Sequence, residues 1–401
     1  MIELRLMPSL RPLFFHHIAQ TGPAPFLIEP EHASGIYIYD VDGKRYADLN
    51  SGYCVSVLGH CHPRVVRAVQ EQTAAYMHTT VYGEHIQSPQ VLLAKRLTDQ
   101  LDPSLDCVFF VNSGAEAVEG SMKLAKRVTG RYEIIACHNA YHGSTQGADS
   151  LRSDKEYTQA FMPLIPGVRH IRFSEFEDLA LITEATAAVI IEPVQGEAGV
   201  RLPAEGYLPA LRKRCDETGT LLVFDEIQTG LGRTGYLFAH QRYHVVPDIL
   251  LLAKSLGGGM PLGALIAKKS FLDAFTHHPE LGHLTTFGGH PVSCAAALAA
   301  LDELLEKGYI SDVESLAAKF ISGLRHPSIY EIRNAGLMMA VELVESVSVD
   351  QFVHTALDAG IITDPFLFGQ RSFRIAPPLI ITEIEIADIC ETLLRVLDSV
   401  S

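Results

Sequence analysis

Between Cys107 and Ala267 the chain carries seven apolar runs of strand length with little polar alternation: Cys107–Val111, Tyr132–Cys137, Val168–Ile171, Ala187–Glu192, Thr220–Asp225, Asp248–Leu252 and Leu262–Ala267. A strand with one wet face alternates between apolar and polar residues. A run that is apolar throughout asks to be covered on both faces. The stretches between the runs are long enough for crossover connections, so the economical fold is α/β, with a mainly parallel seven-stranded sheet sandwiched by helices. Ligands of such sheets bind at the carboxyl ends of the strands.

The 401 residues exceed one ordinary domain. Gly35-Ile36-Tyr37-Ile38-Tyr39-Asp40 alternates like a strand and ends in the turn Asp42-Gly43. From about Glu303 the chain mixes helical patterning (Ser311–Leu324, Thr382–Leu397) with strand-like Leu337–Val344 and Phe373–Ala376. Each flank is small for an independent unit. The expected division is residues 1–50 and 303–401 as a smaller α+β domain built from both chain ends, and 51–302 as the large domain.

A net charge of −15 repels phosphodiester backbones and anionic membranes, so nucleic acid and membrane are not expected partners. No stretch reaches the roughly eighteen uncharged apolar residues of a membrane span. The opening Met1 to Gln20 carries Glu3, Arg5 and Arg11, unlike a secretory leader. Seven scattered cysteines, an odd number, suit reduced thiols in a cytoplasm. The expected partner is a small molecule.

Three features point to one sheet edge. Asn112-Ser113-Gly114-Ala115-Glu116-Ala117 follows an apolar run and opens a helical stretch, which makes an anion cradle of free N–H groups, or a plain helix cap by Ser113. Leu221-Leu222-Val223-Phe224 ends in Asp225, a carboxylate able to keep a ring nitrogen protonated or simply to end a strand in a solvated turn. Ile249–Leu252 leads to Lys254 and then to Gly257-Gly258-Gly259; an amine in apolar surroundings loses its proton more readily and can form a Schiff base.

Two other motifs have weaker contexts. Gly230-Leu231-Gly232-Arg233-Thr234-Gly235 matches a dinucleotide fingerprint in form, with Asp248 downstream, but Asp225 to Thr229 separate it from the strand and Tyr236–Tyr243 has poor helical periodicity. His60-Cys61-His62 is read as a turn before Pro63: neighbours one residue apart on an extended chain face opposite ways, and no second pair has zinc-site spacing, so no metal is expected.

These residues, with Gly59-His60-Cys61-His62-Pro63, Tyr141-His142-Gly143, Glu192-Pro193-Val194-Gln195-Gly196-Glu197 and Arg374-Ile375-Ala376-Pro377-Pro378, resemble class III aminotransferases. That group of fold-type-I pyridoxal-phosphate enzymes includes ornithine, acetylornithine and 4-aminobutyrate aminotransferases. The resemblance runs from Gly35 to Pro378. It implies that Ser113, Gly114 and Ala115 bind the cofactor phosphate, with Tyr141 on one face of the ring and Ile227 on the other. His142 belongs to the same cofactor site. Asp225 would pair with the pyridine nitrogen, Gln228 would reach the ring hydroxyl, and Lys254 would carry the cofactor covalently and act as the catalytic base.

Thr286 resembles the threonine that such enzymes send across a homodimer interface to the partner's phosphate. The family pattern there usually continues Gly-Gly-Asn-Pro, whereas this chain has Gly288-Gly289-His290-Pro291. Arg374 resembles an arginine that grips an α-carboxylate, and Glu197 a glutamate that masks it when an ω-amino donor binds. Tyr53 matches a tyrosine of the ornithine enzymes. Their amino-terminal tyrosine has no counterpart, since the alignment there reaches Pro23 or Ala24. The expected reaction is amino transfer from an amino acid or ω-amine to 2-oxoglutarate. The alternatives are an aminomutase, decarboxylase or racemase on the same scaffold and, in another class, a nicotinamide-dependent oxidoreductase.

Overall fold

The computed structural model describes residues 9–401; the opening segment before residue 9 lies outside the described residues. A four-stranded sheet forms from β1 (Pro30–Ser34), β2 (Tyr37–Asp40), β3 (Arg45–Asp48) and β13 (Ile361–Ile362). The seven-stranded sheet comprises β4 (Cys107–Val111), β5 (Glu133–Cys137), β6 (Val168–Ile171), β7 (Thr186–Ile191), β8 (Leu221–Asp225), β9 (Ile249–Leu252) and β10 (Gly263–Ala267), in the order β4-β10-β9-β8-β7-β5-β6. A third sheet pairs β11 (Ile329–Ala335), β12 (Met338–Leu343) and β14 (Ser372–Ile375).

All seven runs are strands, with ends displaced by at most a residue or so. β8 and β9 are buried along their whole length, and Ile249 to Leu252 are each 0% exposed. Covering such a side chain on both faces contributes roughly 1.5–3 kcal/mol. The sheet is parallel except at β10, which runs antiparallel to both β4 and β9. This reversal decides where the site lies. It leaves β4 pointing the same way as β9 and β8, so the carboxyl ends of β4, β5, β7, β8 and β9 open on one edge, joined there by the start of β10.

The chain ends meet through β13, which pairs in parallel with β3 at Ile361↔Ala47. β1 and β3 were not expected from the sequence. The first, Pro-Glu-His-Ala-Ser, is mostly exposed and gains its place by pairing with β2 rather than by apolar burial. Among the described residues no helix is long and apolar enough to cross a membrane.

The fingerprint-like loop Gly230–Gly235 is packed inward. Arg233 is 0% exposed, and its Nη1 donates to the carbonyls of Leu337, at 3.2 Å, and Pro377. A side chain at Gly232 would run into Ile310 and Leu379 at 2.9 Å. No helix begins at this loop; the next one, Ala239–Tyr243, is five residues long. The strand, tight turn and helix start that hold a pyrophosphate are absent here.

Candidate active site

A cavity of about 530 Å³ opens at the carboxyl edge of the large sheet. Its wall brings together Ser113, Gly114, Ala115, Tyr141, His142, Glu197, Asp225, Ile227, Gln228 and Lys254, residues spread over more than a third of the chain. After β4, Ser113 is extended (φ −148°, ψ 166°), and its Oγ accepts the Glu116 N–H at 3.2 Å, capping the helix Gly114–Thr129. Glu116 in turn accepts from the Asn112 N–H and Nδ2 at 2.7 and 2.9 Å. The N–H groups of Gly114 and Ala115 have no intrahelical partner and find none in the loops among the described residues. They leave a cradle for an anion.

Glycines let the walls approach. A Cβ on Gly263 would stand 2.4 Å from the Ser113 carbonyl oxygen, and one on Gly114 would be 2.8 Å from the Ile227 side chain. At the end of β8, Asp225 is 3% exposed; Oδ1 accepts the Ile227 N–H at 3.0 Å and Oδ2 accepts from His142 Nδ1 at 2.7 Å. Burial works against charge on His142, but its bond to Asp225 and the Asp225 and Glu192 charges outweigh this and hold the imidazole above its ordinary value. Glu192, just after β7, accepts from the N–H groups of Gly196 and Tyr141 at 3.0 and 3.4 Å. Burial pushes its carboxyl up to about 7.

Lys254 follows β9 through Ala253 and takes a left-handed backbone (φ 48°), a strain that functional sites tolerate when the surroundings fix it. Its neighbours include Met260, Pro261 and Leu262 on the apolar wall. A second chamber of about 810 Å³ adjoins the first and shares Tyr141, Ser144, Glu197 and Lys254 with it. It adds Tyr53, Arg152 and Asp364.

Arg374, on β14, lines neither chamber and is only 2% exposed. Its Nη2 donates to both Glu197 oxygens at 2.9 and 3.0 Å, and its Nε to Asp364 Oδ1 at 3.2 Å. Against the cost of burial, Arg374 and then Lys254 hold the Glu197 carboxyl below its ordinary range. Tyr53 projects from a turn in which Ser51, Gly52, Tyr53 and Cys54 all have positive φ, between 48° and 66°. Asp48 anchors that turn by accepting from the N–H groups of Asn50 and Ser51 at 3.0 and 2.9 Å. The Arg374 guanidinium lies 5.6 Å from the Tyr53 ring and 4.3 Å from that of Phe366.

Thr286 is exposed and belongs to neither chamber. His290 stacks on His78 at 5.5 Å. Glu192 and Asp364 were not singled out by their own chemistry in the sequence, although Glu192 stands in a quoted motif. No group of three or more His, Cys, Asp or Glu residues able to hold a metal occurs among the described residues.

The polar set has the chemistry for pyridoxal phosphate: unpaired N–H groups for a phosphate, a buried carboxylate for a ring nitrogen, and a Gln228 Oε1 that is buried without a partner. The family described as "Aminotransferase class-III" matches residues 18–397. The chain belongs to the class-III aminotransferases. It is 38% identical over 384 residues to the acetylornithine aminotransferase of Methanosarcina mazei, covering 94% of this chain and 93% of that one. It is 42% identical over 333 residues to that of Methanopyrus kandleri, covering 82% and 83%. The crystal structure of the ornithine aminotransferase from Toxoplasma gondii superposes with a TM-score of 0.92 at 31% identity, covering 100% of this chain and 97% of that one. This aminotransferase depends, as its family does, on pyridoxal phosphate and transfers amino groups between small molecules.

Proposed function

We propose that the enzyme moves an amino group from an ω-amino donor of the ornithine, acetylornithine or 4-aminobutyrate type to 2-oxoglutarate. The observation that carries this reading is the double grip of Glu197 on Arg374 Nη2, which closes the guanidinium to the cavity. A donor with no carboxylate beside its reacting amine fits the closed arrangement. An oxo acid with an α-carboxylate would draw the arginine out once Glu197 moves aside. The acetylornithine and ornithine names of the relatives agree with this donor class.

When bound, the cofactor supplies a carbonyl to receive the amino group and a conjugated ring to take up the electrons left by a departing proton. The chain does the rest. The N–H groups of Gly114 and Ala115, with Ser113, would hold the cofactor phosphate. Tyr141 and Ile227 would lie against its ring, and Gln228 would reach the ring hydroxyl. Asp225, oriented by His142, would keep the ring nitrogen protonated. Lys254 would carry the cofactor through its Nζ, which, when free, would serve as the base that takes a proton from the substrate carbon and holds it for return.

The working unit in this reading is a homodimer, with the partner's Thr286 completing each phosphate site. Support comes from apolar side chains left bare around this residue: Tyr82, Leu281, Leu284 and Phe287 are each 39–63% exposed. Tyr82, Leu281 and Leu284 also line one surface cavity of about 600 Å³. Contiguous exposed apolar side chains of this kind mark interaction surfaces. The unpaired cysteines suit a cytoplasmic setting. A donor screen tests the reading: with ornithine, acetylornithine, 4-aminobutyrate, lysine and β-alanine in turn, an ω-amino donor converts the cofactor absorbance to that of its amine form and 2-oxoglutarate restores it. Conversion by α-amino donors alone contradicts it.

A further inference from the structure

We propose that Asp364 is a specificity-determining residue that disfavours carboxylates at Arg374 by holding the Nε edge of its guanidinium. The proposal rests on the reading of Arg374 as a carboxylate receptor and deepens it.

A guanidinium can fork a carboxylate side-on, through Nε and Nη2, or end-on, through Nη1 and Nη2. Here the side-on edge is divided between two acids. Asp364 takes Nε at 3.2 Å and Glu197 takes Nη2 with both oxygens. Asp364 is built in as closely as Glu197, the two side chains each being 12% exposed; its backbone carbonyl receives the Arg374 N–H at 3.0 Å, and the Tyr53 hydroxyl faces its carboxylate. The Arg374 side chain is stacked against Phe366 and Tyr53, which leaves it little room to rotate the shared edge away. Withdrawal of Glu197 therefore frees only the end-on edge.

Charge gives the sign of the effect. With Glu197 in place, two carboxylates share one guanidinium. A substrate carboxylate brings a third negative charge into the chamber that Glu197 and Asp364 both line. Asp364 repels that newcomer wherever Glu197 settles, and repulsion in a poorly hydrated site is stronger than in water. A donor amine arriving as ammonium meets the opposite field. Asp364 thus shifts selectivity toward substrates that present no carboxylate at this end. A residue that merely braced Arg374 would act the other way, since loosening the arginine would weaken every carboxylate it binds.

The test titrates the holoenzyme calorimetrically with glutarate, a dicarboxylate with no group to transfer. Asp364→Asn, which keeps the shape and removes the charge, is expected to bind glutarate on the order of tenfold more tightly. In turnover the same variant should reach half-saturation at a correspondingly lower oxo-acid concentration. Unchanged or weaker glutarate binding overturns the proposal. Asp364→Ser removes the same charge with a smaller side chain and must move the affinity in the same direction should the amide fail to fold. Arg374→Gln separates the two readings. If it leaves glutarate binding intact, Arg374 is not the receptor; if it abolishes binding while Asp364→Asn does not tighten it, the role given to Asp364 alone fails.

Discussion

His142 Nδ1 lies 2.7 Å from Asp225 Oδ2, with both side chains buried in the cavity wall. Asp225 is therefore fixed from two sides, by this imidazole and by the Ile227 N–H. A carboxylate held in this way would meet a ring nitrogen without having to reorganise, the condition under which an electrostatic contact serves catalysis best.

Replacing Asp225 with Ala is expected to lower turnover by about 10²–10³-fold, the scale of a lost preorganised contact, while thermal unfolding moves by only a few degrees. Asp225→Asn keeps the contact with His142 and isolates the charge. Near-normal turnover of either variant with cofactor bound contradicts the role given to Asp225.

Glu192 gives a pH prediction. A carboxyl raised to about 7 in the fold, against about 4.5 when unfolded, is favoured as the neutral acid. The folded state then holds more protons than the unfolded chain above pH ~4.5, so stability is fully present below that pH and is lost as pH rises through about 7. The raised His142 acts in the same sense, its contribution being lost as pH rises through its folded value. Glu192→Gln should flatten the decline in melting temperature between about pH 5 and pH 8, removing on the order of 1–3 kcal/mol of pH dependence. An identical slope in wild type and variant would exclude Glu192 as its source.

The large sheet was legible in the sequence because strands covered on both faces are apolar throughout, and burial of Ile249–Leu252 demands that composition. The reversal of β10 was not, since an antiparallel strand in a covered position has the same composition as a parallel one. The exposed β1 carries no apolar signal at all. At the site, Asp225 and Lys254 could be read because each directly ends or follows an apolar run. Asp364 could not, as its partner Arg374 is set by the pairing of β14 and by the loop before it, and Tyr53 reaches both from a left-handed turn containing a single glycine.

The Arg374–Glu197 pair should separate the two half-reactions. Arg374→Lys loses the planar fork and is expected to slow the glutamate and 2-oxoglutarate half selectively, whereas Glu197→Ala should impair the ω-amine half and relatively favour α-amino donors. Single-turnover rates for each half decide the matter. Equal losses in both halves for both variants reject the exchange of partners on Arg374.

Sharing of sites across a dimer can be tested by mixing Lys254→Ala and Thr286→Ala protomers. If Thr286 serves the partner's site, each hybrid has one site with both defects and one with neither, so activity exceeds that of Thr286→Ala alone per Lys254-bearing site. No gain after verified subunit exchange means that the sites are separate.

Lys254, at the carboxyl edge of the sheet, is the residue proposed to carry the cofactor. Borohydride reduction of the purified enzyme followed by peptide mapping tests it most directly. The expected result is a pyridoxyl group on Lys254, and a Lys254→Ala variant that keeps cofactor only non-covalently and loses transamination. A label on Lys268 or Lys269, or on any other lysine, would contradict it.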